Sequence, residues 1–402
     1  MAKVLILHDD LPFPLTHGGR LRVHYLSAAL LGGNKCFLAA FAVNPEQMDA
    51  VSGLGIFEDI LLLPLAPENY SFMRHFRLND ARFIRSSNRR YIRHVVSILN
   101  NYLERHAIDI AIAGNLHLAE YLEQLSVKKK IVDDFDCHSL TMEREYNVCL
   151  NGLSIARKML YRLALHRIRA QESGLTKWCD LVTTISEPDK KRLVELSKIR
   201  KDAVAVIPNG VAPELEAECG EFGEMQNSIA FWGNLSFKPN YSAIQYFYKN
   251  IFVPYLAAEG ITWYIIGRDA DEWISGLAED HDNIVVTGFI DDLFGFVKRI
   301  PVTVNPMIMG SGLKNKVLEA FALKRTVIST AMGVEAIDAT PGEHYVLADD
   351  PQKFAEAVIY YLGNRGQRKA IGDRARRLVM EKYTWDVVGK QWGEEIERVL
   401  KQ

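Results

Sequence analysis

A pattern that occurs twice constrains the fold of this chain more than any other feature: short apolar runs alternate with longer amphipathic stretches. Apolar strands separated by helices pack in parallel sheets that helices cover on both faces. Each half of the sequence therefore predicts a doubly wound α/β domain. The strand-like runs are residues 4–7, 36–43, 60–63, 108–113, 130–132, 181–185 and 203–207, and then 228–232, 262–266, 283–287, 302–304 and 326–329.

The chain is expected to divide near residue 210. Its 402 residues are too many for one core, and the turn signal Pro208-Asn209-Gly210 lies between the two sets of strands. We expect two Rossmann-like domains, residues 1–207 and 208–383, facing each other across a cleft. A helix over residues 384–402 is expected to pack back on the first domain. Ligands of such sheets bind outside the carboxyl ends of the strands, which places the expected site in the cleft.

Composition excludes several classes of protein. The formal net charge of −2 gives no overall attraction to nucleic acid or to anionic lipid. The five cysteines are odd in number and form no Cys-x-x-Cys pair, which favours a reducing compartment over a disulfide framework. The start of the chain does not read as a signal peptide, and no apolar stretch reaches transmembrane length. We therefore expect a cytoplasmic protein.

Residues 305–322 carry the clearest chemical signal, because they follow a strand and open a helix. Gly310 and Gly312 allow the backbone to approach a ligand closely, and a helix N-terminus favours an anion. Lys314 and Lys316 add positive charge there, and Glu319 lies one turn further on, where it could accept hydrogen bonds from ribose hydroxyls. A diphosphate and a ribose are what a nucleotide sugar offers. From spacing alone, a plain glycine turn with solvated lysines remains an equal alternative.

The same segment, Gly-Ser-Gly-Leu-Lys-Asn-Lys-Val-Leu-Glu-Ala-Phe-Ala over residues 310–322, resembles the donor-binding signature of GT-B glycosyltransferases of family 4. It is most similar to sugar transferases associated with bacterial exopolysaccharide and exosortase loci. The resemblance spans nearly the whole chain in order. Its other pieces are residues 12–14, 18–22, 207–211, 231–235, 238–240, 286–292, 326–330 and 333–335.

This resemblance implies a transferase of the hexosyltransferase class. It would move a sugar from a nucleotide-diphosphate sugar, bound by the second domain, to a hydroxyl group of an acceptor bound by the first. A glycan or lipid-linked glycan in cell-surface polysaccharide synthesis is the implied acceptor, with retention at the anomeric carbon. Two alternatives stay open: a nucleotide-sugar epimerase of the same fold, and a non-catalytic two-lobed binder of sugar or nucleotide.

The resemblance also implies roles for single residues. Glu319 would bind the ribose, residues 312–314 the pyrophosphate, and Phe289 the base. Ser311 stands where the family commonly has a second glutamate that contacts the sugar, which leaves the donor sugar less defined. For Arg268 a surface salt bridge is the alternative role. The expected donor-binding residues are Gly19, Arg20, Asn234, Lys238, Arg268, Phe289, Gly310, Ser311, Gly312, Leu313, Lys314, Lys316, Val317 and Glu319.

An acid-rich loop after the strand at residues 130–132 supplies the expected catalytic residues. Asp134, Asp136 or His138 could orient an acceptor hydroxyl or accept its proton. A helix cap is the alternative for any single one of these acids. A metal site from Asp133, Asp134 and Asp136 is a further alternative. We expect no cofactor and no required metal, because helix dipoles and basic side chains usually balance phosphate charge in this fold.

Residues 71–94 contain seven arginines against one acid, with aromatic residues between them. Such a segment could rest on anionic lipid at the inner membrane face, which would suit a lipid-linked acceptor. A second basic cluster, residues 157–169, could extend this patch. A solvated helix face is the alternative. No nucleic-acid motif accompanies the charge.

Overall fold

The structure, a computed structural model, contains two parallel β-sheets, one from each half of the chain. It describes residues 1–15, 18–66, 89–134, 137–149, 154–197, 201–217 and 223–402. One unit comprises residues 1–208 together with 388–402, and the other comprises residues 209–387. The doubly wound α/β fold predicted for both halves is confirmed. The assignment of acceptor and donor to the two units stays a prediction.

The first sheet has seven strands in the order β3-β2-β1-β4-β5-β6-β7. The strands are β1 Ala2–His8, β2 Asn34–Phe41, β3 Phe57–Leu63, β4 Ile110–Ala113, β5 Lys129–Asp133, β6 Leu181–Thr184 and β7 Val204–Val206. The helices of this unit are α1 Gly18–Ala29, α2 Met48–Ser52, α3 Arg89–His106, α4 Ala119–Glu123, α5 His138–Cys149, α6 Ile155–Gly174 and α7 Glu187–Ser197.

The second sheet has six strands in the order β10-β9-β8-β11-β12-β13. They are β8 Ser228–Trp232, β9 Thr262–Ile266, β10 Ile284–Gly288, β11 Val302–Asn305, β12 Thr326–Ser329 and β13 Val346–Leu347. The helices are α8 Lys238–Phe247, α9 Glu272–Asp280, α10 Leu293–Val297, α11 Asn315–Ala322, α12 Ala331–Val334, α13 Pro351–Gly363, α14 Arg365–Lys382 and α15 Trp385–Lys401. Residues 388–402, most of α15, belong to the first unit.

The central strands form because apolar side chains cover both of their faces. In β1, Leu5 is fully buried and pairs with Phe37 of β2 on one side and Ala111 of β4 on the other. In the second unit all of β8 is buried, and its Phe231 packs in a core that includes Phe247 and Trp263. Such continuous burial explains why these strands have no polar alternation.

Two elements differ from the sequence prediction. The sequence pattern predicts a single helix over residues 241–252. The structure instead has α8 up to Phe247 and then a π-helix, Tyr248–Leu256, which contains Pro254. Proline has no N–H to donate, so a regular α-helical bond is missing there. The strand β13 was not predicted because its two residues are too few to show a pattern. Within the described residues no helix is long and apolar enough to cross a bilayer.

A buried ion pair links three elements of the first unit. The guanidinium of Arg22 on α1 donates to both carboxylate oxygens of Asp133 at 2.7 Å, at the end of β5. It also donates to the carbonyl oxygen of Ile207 at 2.8 Å, just after β7. Arg22 is only 2% exposed. Either charge would be costly to bury without the other, so the two side chains must stay paired. The pair therefore fixes α1 on the first sheet.

Replacing Arg22 by methionine should therefore lower the free energy of unfolding of this unit by about 3–5 kcal/mol, since an uncompensated carboxylate remains inside. Urea unfolding followed by circular dichroism measures the loss. Arg93→Met, on the exposed side of α3, is the control and should stay within about 0.5 kcal/mol of the wild type. Equal losses in the two variants would contradict a special role for the buried pair.

Candidate functional site

The predicted donor site of the second unit is built around the start of α11. Gly310 and Gly312 in the preceding loop have φ of 104° and 69°, values that favour glycine. Lys314 is the N-cap residue of α11 but makes no side-chain hydrogen bond to its first turn. Its ammonium instead donates to the carbonyl oxygens of Ser311 at 2.5 Å and Gly312 at 2.9 Å. A helix tip without a side-chain cap, with a cation beside it, is suited to an anion.

The position of this tip follows from the strand order. The order of the second sheet reverses between β8 and β11, which are neighbours in the sheet although β9 and β10 lie between them in the sequence. Chains leave such neighbouring strands in opposite directions, so a crevice opens at their carboxyl ends. Trp232 ends β8 and Asn305 ends β11. The glycine loop and α11 follow directly on Asn305, which places them at this crevice.

Glu319, expected to bind ribose, lies beside the end of β8. The indole N–H of Trp232 donates to its Oε2 at 2.7 Å. Burial raises the pKa of the Glu319 carboxyl group, while the Trp232 hydrogen bond and the charge of Lys316 lower it. The indole thus fixes one oxygen of the carboxylate in a protein environment that strengthens its hydrogen bonds.

Lys316 was expected at the helix tip as a second cation for the phosphates, and the structure places its ammonium elsewhere. The Nζ donates to Oδ1 of Asn240 at 2.7 Å and lies 3.7 Å from the centre of the Phe231 ring. Part of the side chain remains accessible. Burial, together with the nearby charge of Lys314, lowers the pKa of the ammonium group to about 7, although the charge of Glu319 opposes the shift. In this structure Lys316 therefore contacts Asn240 and the Phe231 ring, and its contact with the phosphates of a donor stays a prediction.

Two glycines let the loop after β8 approach its neighbours. Gly233 has a φ of 149°, and a Cβ there would lie 2.7 Å from Nδ2 of Asn240. Gly267, after β9, has a φ of 152°, and a Cβ there would overlap the carbonyl oxygen of Gly233. The amide of Asn240 donates to the carbonyl oxygen of Asn234 at 2.8 Å. Asn240 thus joins this loop to Lys316.

The other predicted residues of the second unit surround the same strand ends. Asn234 is exposed and accepts hydrogen bonds from the backbone of Ser236 and Phe237, which shapes the start of α8. Lys238 is the first residue of that helix. Phe289 is 70% exposed after β10, as a ring that stacks on a base needs to be.

Not all members of the predicted set can use their side chains. Leu313 and Val317 are buried, so only their backbone can face a ligand. Arg268 is half-exposed, and its Nε lies 3.9 Å from Asp269, which fits the surface salt bridge considered as its alternative.

Gly19 and Arg20 belong to the first unit, on α1. Arg20 donates to Oδ2 of Asp10 at 2.7 Å, and both side chains are largely buried. That ion pair is a structural use of Arg20 that the sequence did not reveal. A contact of Gly19 or Arg20 with a donor stays a prediction.

The predicted catalytic residues do not behave as one group. Asp134 is completely buried, 3.9 Å from Nε2 of His138. His138, the first residue of α5, retains 29% of its side-chain exposure, and its ring centre lies 5.0 Å from that of His117. Asp136 lies outside the described residues. His138 is thus partly accessible to solvent and Asp134 is not, and a catalytic role for any of the three residues stays a prediction.

The sequence predicts that no metal ion is required. Among the described residues, no three histidine, cysteine or acidic side chains are grouped to bind a metal ion. Because Asp136 is not among them, the absence of a required metal stays a prediction.

A cavity of about 460 Å³ lies beside the predicted site, past the ends of β11 and β12. None of the predicted residues contributes to its walls. It is lined by Tyr246, Met307, Ile308, Thr330, Ala331, Met332, Glu335 and Asp349. The residues predicted to bind the donor are thus not the ones that line this mainly apolar space.

Sequence reasoning missed the residues that position the predicted ones. Trp232 and Asn240 both lie in segments quoted for the resemblance, yet no spacing rule shows that one orients Glu319 and the other Lys316. Only the adjacency of β8 and β11 brings them together.

Comparison with known proteins gives a family match for part of the chain and a shared fold for all of it. Residues 226–364 match the family described as "Glycosyl transferases group 1". An uncharacterized 44.6 kDa protein in the cps region of Klebsiella pneumoniae is 23% identical over 413 residues, covering 95% of this chain and 97% of that protein. An uncharacterized glycosyltransferase of Methanocaldococcus jannaschii is 23% identical over 238 residues, covering 56% of this chain and 60% of that protein.

Solved structures share the fold along the whole chain. HepE from Anabaena in complex with UDP and glucose has a TM-score of 0.68 at 11% identity, covering 99% of this chain and 100% of that one. Sucrose-phosphate synthase from Thermosynechococcus elongatus has a TM-score of 0.70 at 15% identity, with 100% of both chains covered. At these identities the likeness establishes the fold, the GT-B arrangement expected from the sequence.

The buried ammonium of Lys316 makes stability depend on pH in a defined direction. The folded state loses this proton near pH 7, whereas an unfolded lysine keeps it up to about 10.5. The unfolded state thus binds more protons in this window, and the free energy of unfolding rises with pH. Relative to Lys316→Met, the wild type should gain at most about 2 kcal/mol between roughly pH 7 and pH 9.

Thermal unfolding of both proteins across this range measures the difference. Lys353→Met, at an exposed position of α13, serves as the matched control and should follow the wild type at every pH. A constant difference between Lys316→Met and the wild type would show that the ammonium is not buried.

Proposed function

We propose that this protein transfers a sugar from a nucleoside-diphosphate sugar to a hydroxyl group. The proposal starts from residues 226–364, which belong to the glycosyl transferases group 1 family. The chain carries a glycosyltransferase domain. The observation that carries the proposal is the α11 tip, which has no side-chain cap and stands one turn from the oriented carboxylate of Glu319. An anion site and a hydroxyl site at that spacing fit a diphosphate joined to ribose.

The diphosphate would bind at the amides of the first turn of α11. Lys314, now hydrogen-bonded to two carbonyl oxygens of the glycine loop, would turn toward the phosphates and exchange neutral acceptors for charged ones. Such charge-assisted hydrogen bonds are the stronger kind. During transfer the same groups would stabilise the negative charge that develops on the departing diphosphate.

The ribose would bind at Glu319. Trp232 occupies Oε2, and in the described part of the chain no other hydrogen bond to this carboxylate is present. Oε1 is thus the oxygen that would accept from a ribose hydroxyl. Phe289, exposed after β10, would stack on the base.

The comparisons support this choice of donor and a polysaccharide role. HepE structures contain UDP or UDP-glucose, so a UDP-sugar is the first donor to test. The Klebsiella pneumoniae relative is encoded in a cps region, which supports an acceptor that is a glycan or a lipid-linked glycan. Retention at the anomeric carbon is part of the proposal and can be read from the product by NMR.

The acceptor would bind to the first unit in a cytoplasmic protein. His138 is the exposed member of the group predicted there and would orient the attacking hydroxyl or accept its proton. Contact of residues 71–94 with the inner membrane face remains part of the proposal, although residues 67–88 lie outside the described range.

Glu319→Gln keeps the shape of the side chain and removes its charge. Nucleotide-sugar affinity should fall about 10- to 100-fold, because a hydrogen bond to a charged group contributes about 1.5–3 kcal/mol. Isothermal titration with UDP-, GDP- and dTDP-sugars measures the affinity and identifies the nucleotide. Release of nucleotide in the presence of candidate acceptors should fall with it.

Glu356→Gln is the matched control, because Glu356 is exposed on α13, where its Oε1 accepts a hydrogen bond from the side chain of Gln352. It should bind and turn over donor as the wild type does. Wild-type affinity in Glu319→Gln, or no binding of any of the three nucleotide sugars by the wild type, would overturn the proposal.

A further inference from the structure

An apolar stripe faces outward on helix α6 of the first unit. Ile155, Met159 and Leu163 are 87%, 74% and 49% exposed, and Leu160 beside them is 36% exposed. The first three are four residues apart, so they lie in one line along the helix. A helix of a globular protein normally turns its apolar side to the core. A continuous apolar surface turned outward marks a place where something else binds.

The other side of α6 is already attached to the protein. Ile168 packs against the core of the first unit. Glu172 is 1% exposed, and its Oε1 accepts from the backbone N–H of Ser139 at 2.9 Å. The C-terminal half of the helix is thus anchored, which fixes the direction in which the stripe points.

Basic residues accompany the stripe. From residue 155 to residue 171 the helix contains no acidic residue. Arg169 is paired with Glu143 at 3.0 Å, which leaves four other cations on this helix. They are Arg157, Lys158, Arg162 and Arg167. At 100° per residue, Arg162 and Arg167 fall on opposite sides of the stripe.

We propose that this face of α6 lies on an anionic lipid surface. Apolar side chains in the middle with cations at both edges is the arrangement of a helix that lies in the plane of a bilayer, where the stripe enters the acyl boundary and the cations meet lipid phosphates. The net charge of the chain is −2, so this attraction is local to the helix. The inference does not depend on the transferase proposal.

A second copy of the chain is a poorer occupant. A symmetric dimer brings the same surface of both subunits together, so Lys158, Arg162 and Arg167 of one helix would face the same cations of the other. A soluble polyanion would be attracted by the cations but would give the apolar stripe no contact. Lipid is the partner that uses both features.

The test is flotation of the full chain with vesicles of phosphatidylcholine, with or without roughly one third phosphatidylglycerol. Binding should be at least about tenfold tighter to the anionic vesicles and should weaken at about 0.5 M salt. The triple variant Ile155→Ser/Met159→Ser/Leu163→Ser should lose about tenfold or more of this affinity. Lys158→Gln/Arg162→Gln/Arg167→Gln, which removes the cations beside the stripe, should lose the preference for anionic lipid.

Ile359→Ser/Arg377→Gln, which changes an exposed apolar and an exposed basic residue of the second unit, is the matched control and should bind as the wild type does. Circular dichroism and the thermal midpoint verify that each variant is folded. The single variant Met159→Glu changes only one residue and should also bind anionic vesicles more weakly than the wild type. Equal binding to both vesicle types, or full binding by the triple serine variant, would overturn the proposal. So would light scattering that shows a wild-type dimer and a monomeric serine variant, without binding to lipid.

Discussion

The carboxylate of Glu319 is oriented inside the second unit, and the rest of the site depends on that orientation. Trp232 donates to one of its oxygens at 2.7 Å. Burial raises its pKa, and the nearby ammonium of Lys316 opposes this shift. Lys316 in turn is fixed by Asn240 and the face of the Phe231 ring. A carboxylate prepared in this way binds a ribose hydroxyl without first having to be ordered.

Close backbone approach is the second constraint, and it explains why glycine recurs at these strand ends. Gly267 passes so near the carbonyl oxygen of Gly233 that no side chain fits between them. Gly310 and Gly312 take φ values that favour glycine before the helix begins. With glycine at these positions, the loops after β8, β9 and β11 lie together at the carboxyl ends of the strands of the second sheet. The helix tip and Glu319, on which the proposed function depends, lie at the same edge of the sheet.

The sequence predicted most of the fold, because buried parallel strands are apolar throughout and their runs stand out between amphipathic helices. The sequence also predicted that a helix opens within residues 305–322, where α11 lies, since strand, glycines and helix follow in order. The partners of Glu319 and Lys316 were not predicted, because Trp232 and Asn240 are distant in sequence and become neighbours only through the sheet order. The sequence also could not show that Asp134 is fully buried, because the side chain of an acidic residue after a strand can point toward the core or toward solvent.

The proposed site depends on the coupling between Trp232 and Glu319, and a double-mutant cycle measures this coupling energy directly. Titration calorimetry with whichever of UDP, GDP and dTDP binds tightest would compare Trp232→Phe, Glu319→Gln and the double variant. If the indole acts by orienting the carboxylate, the double variant binds about as weakly as Glu319→Gln alone, with a coupling energy of about 1 kcal/mol or more. If the two losses simply add, Trp232 does not orient Glu319 and the account of the site is wrong.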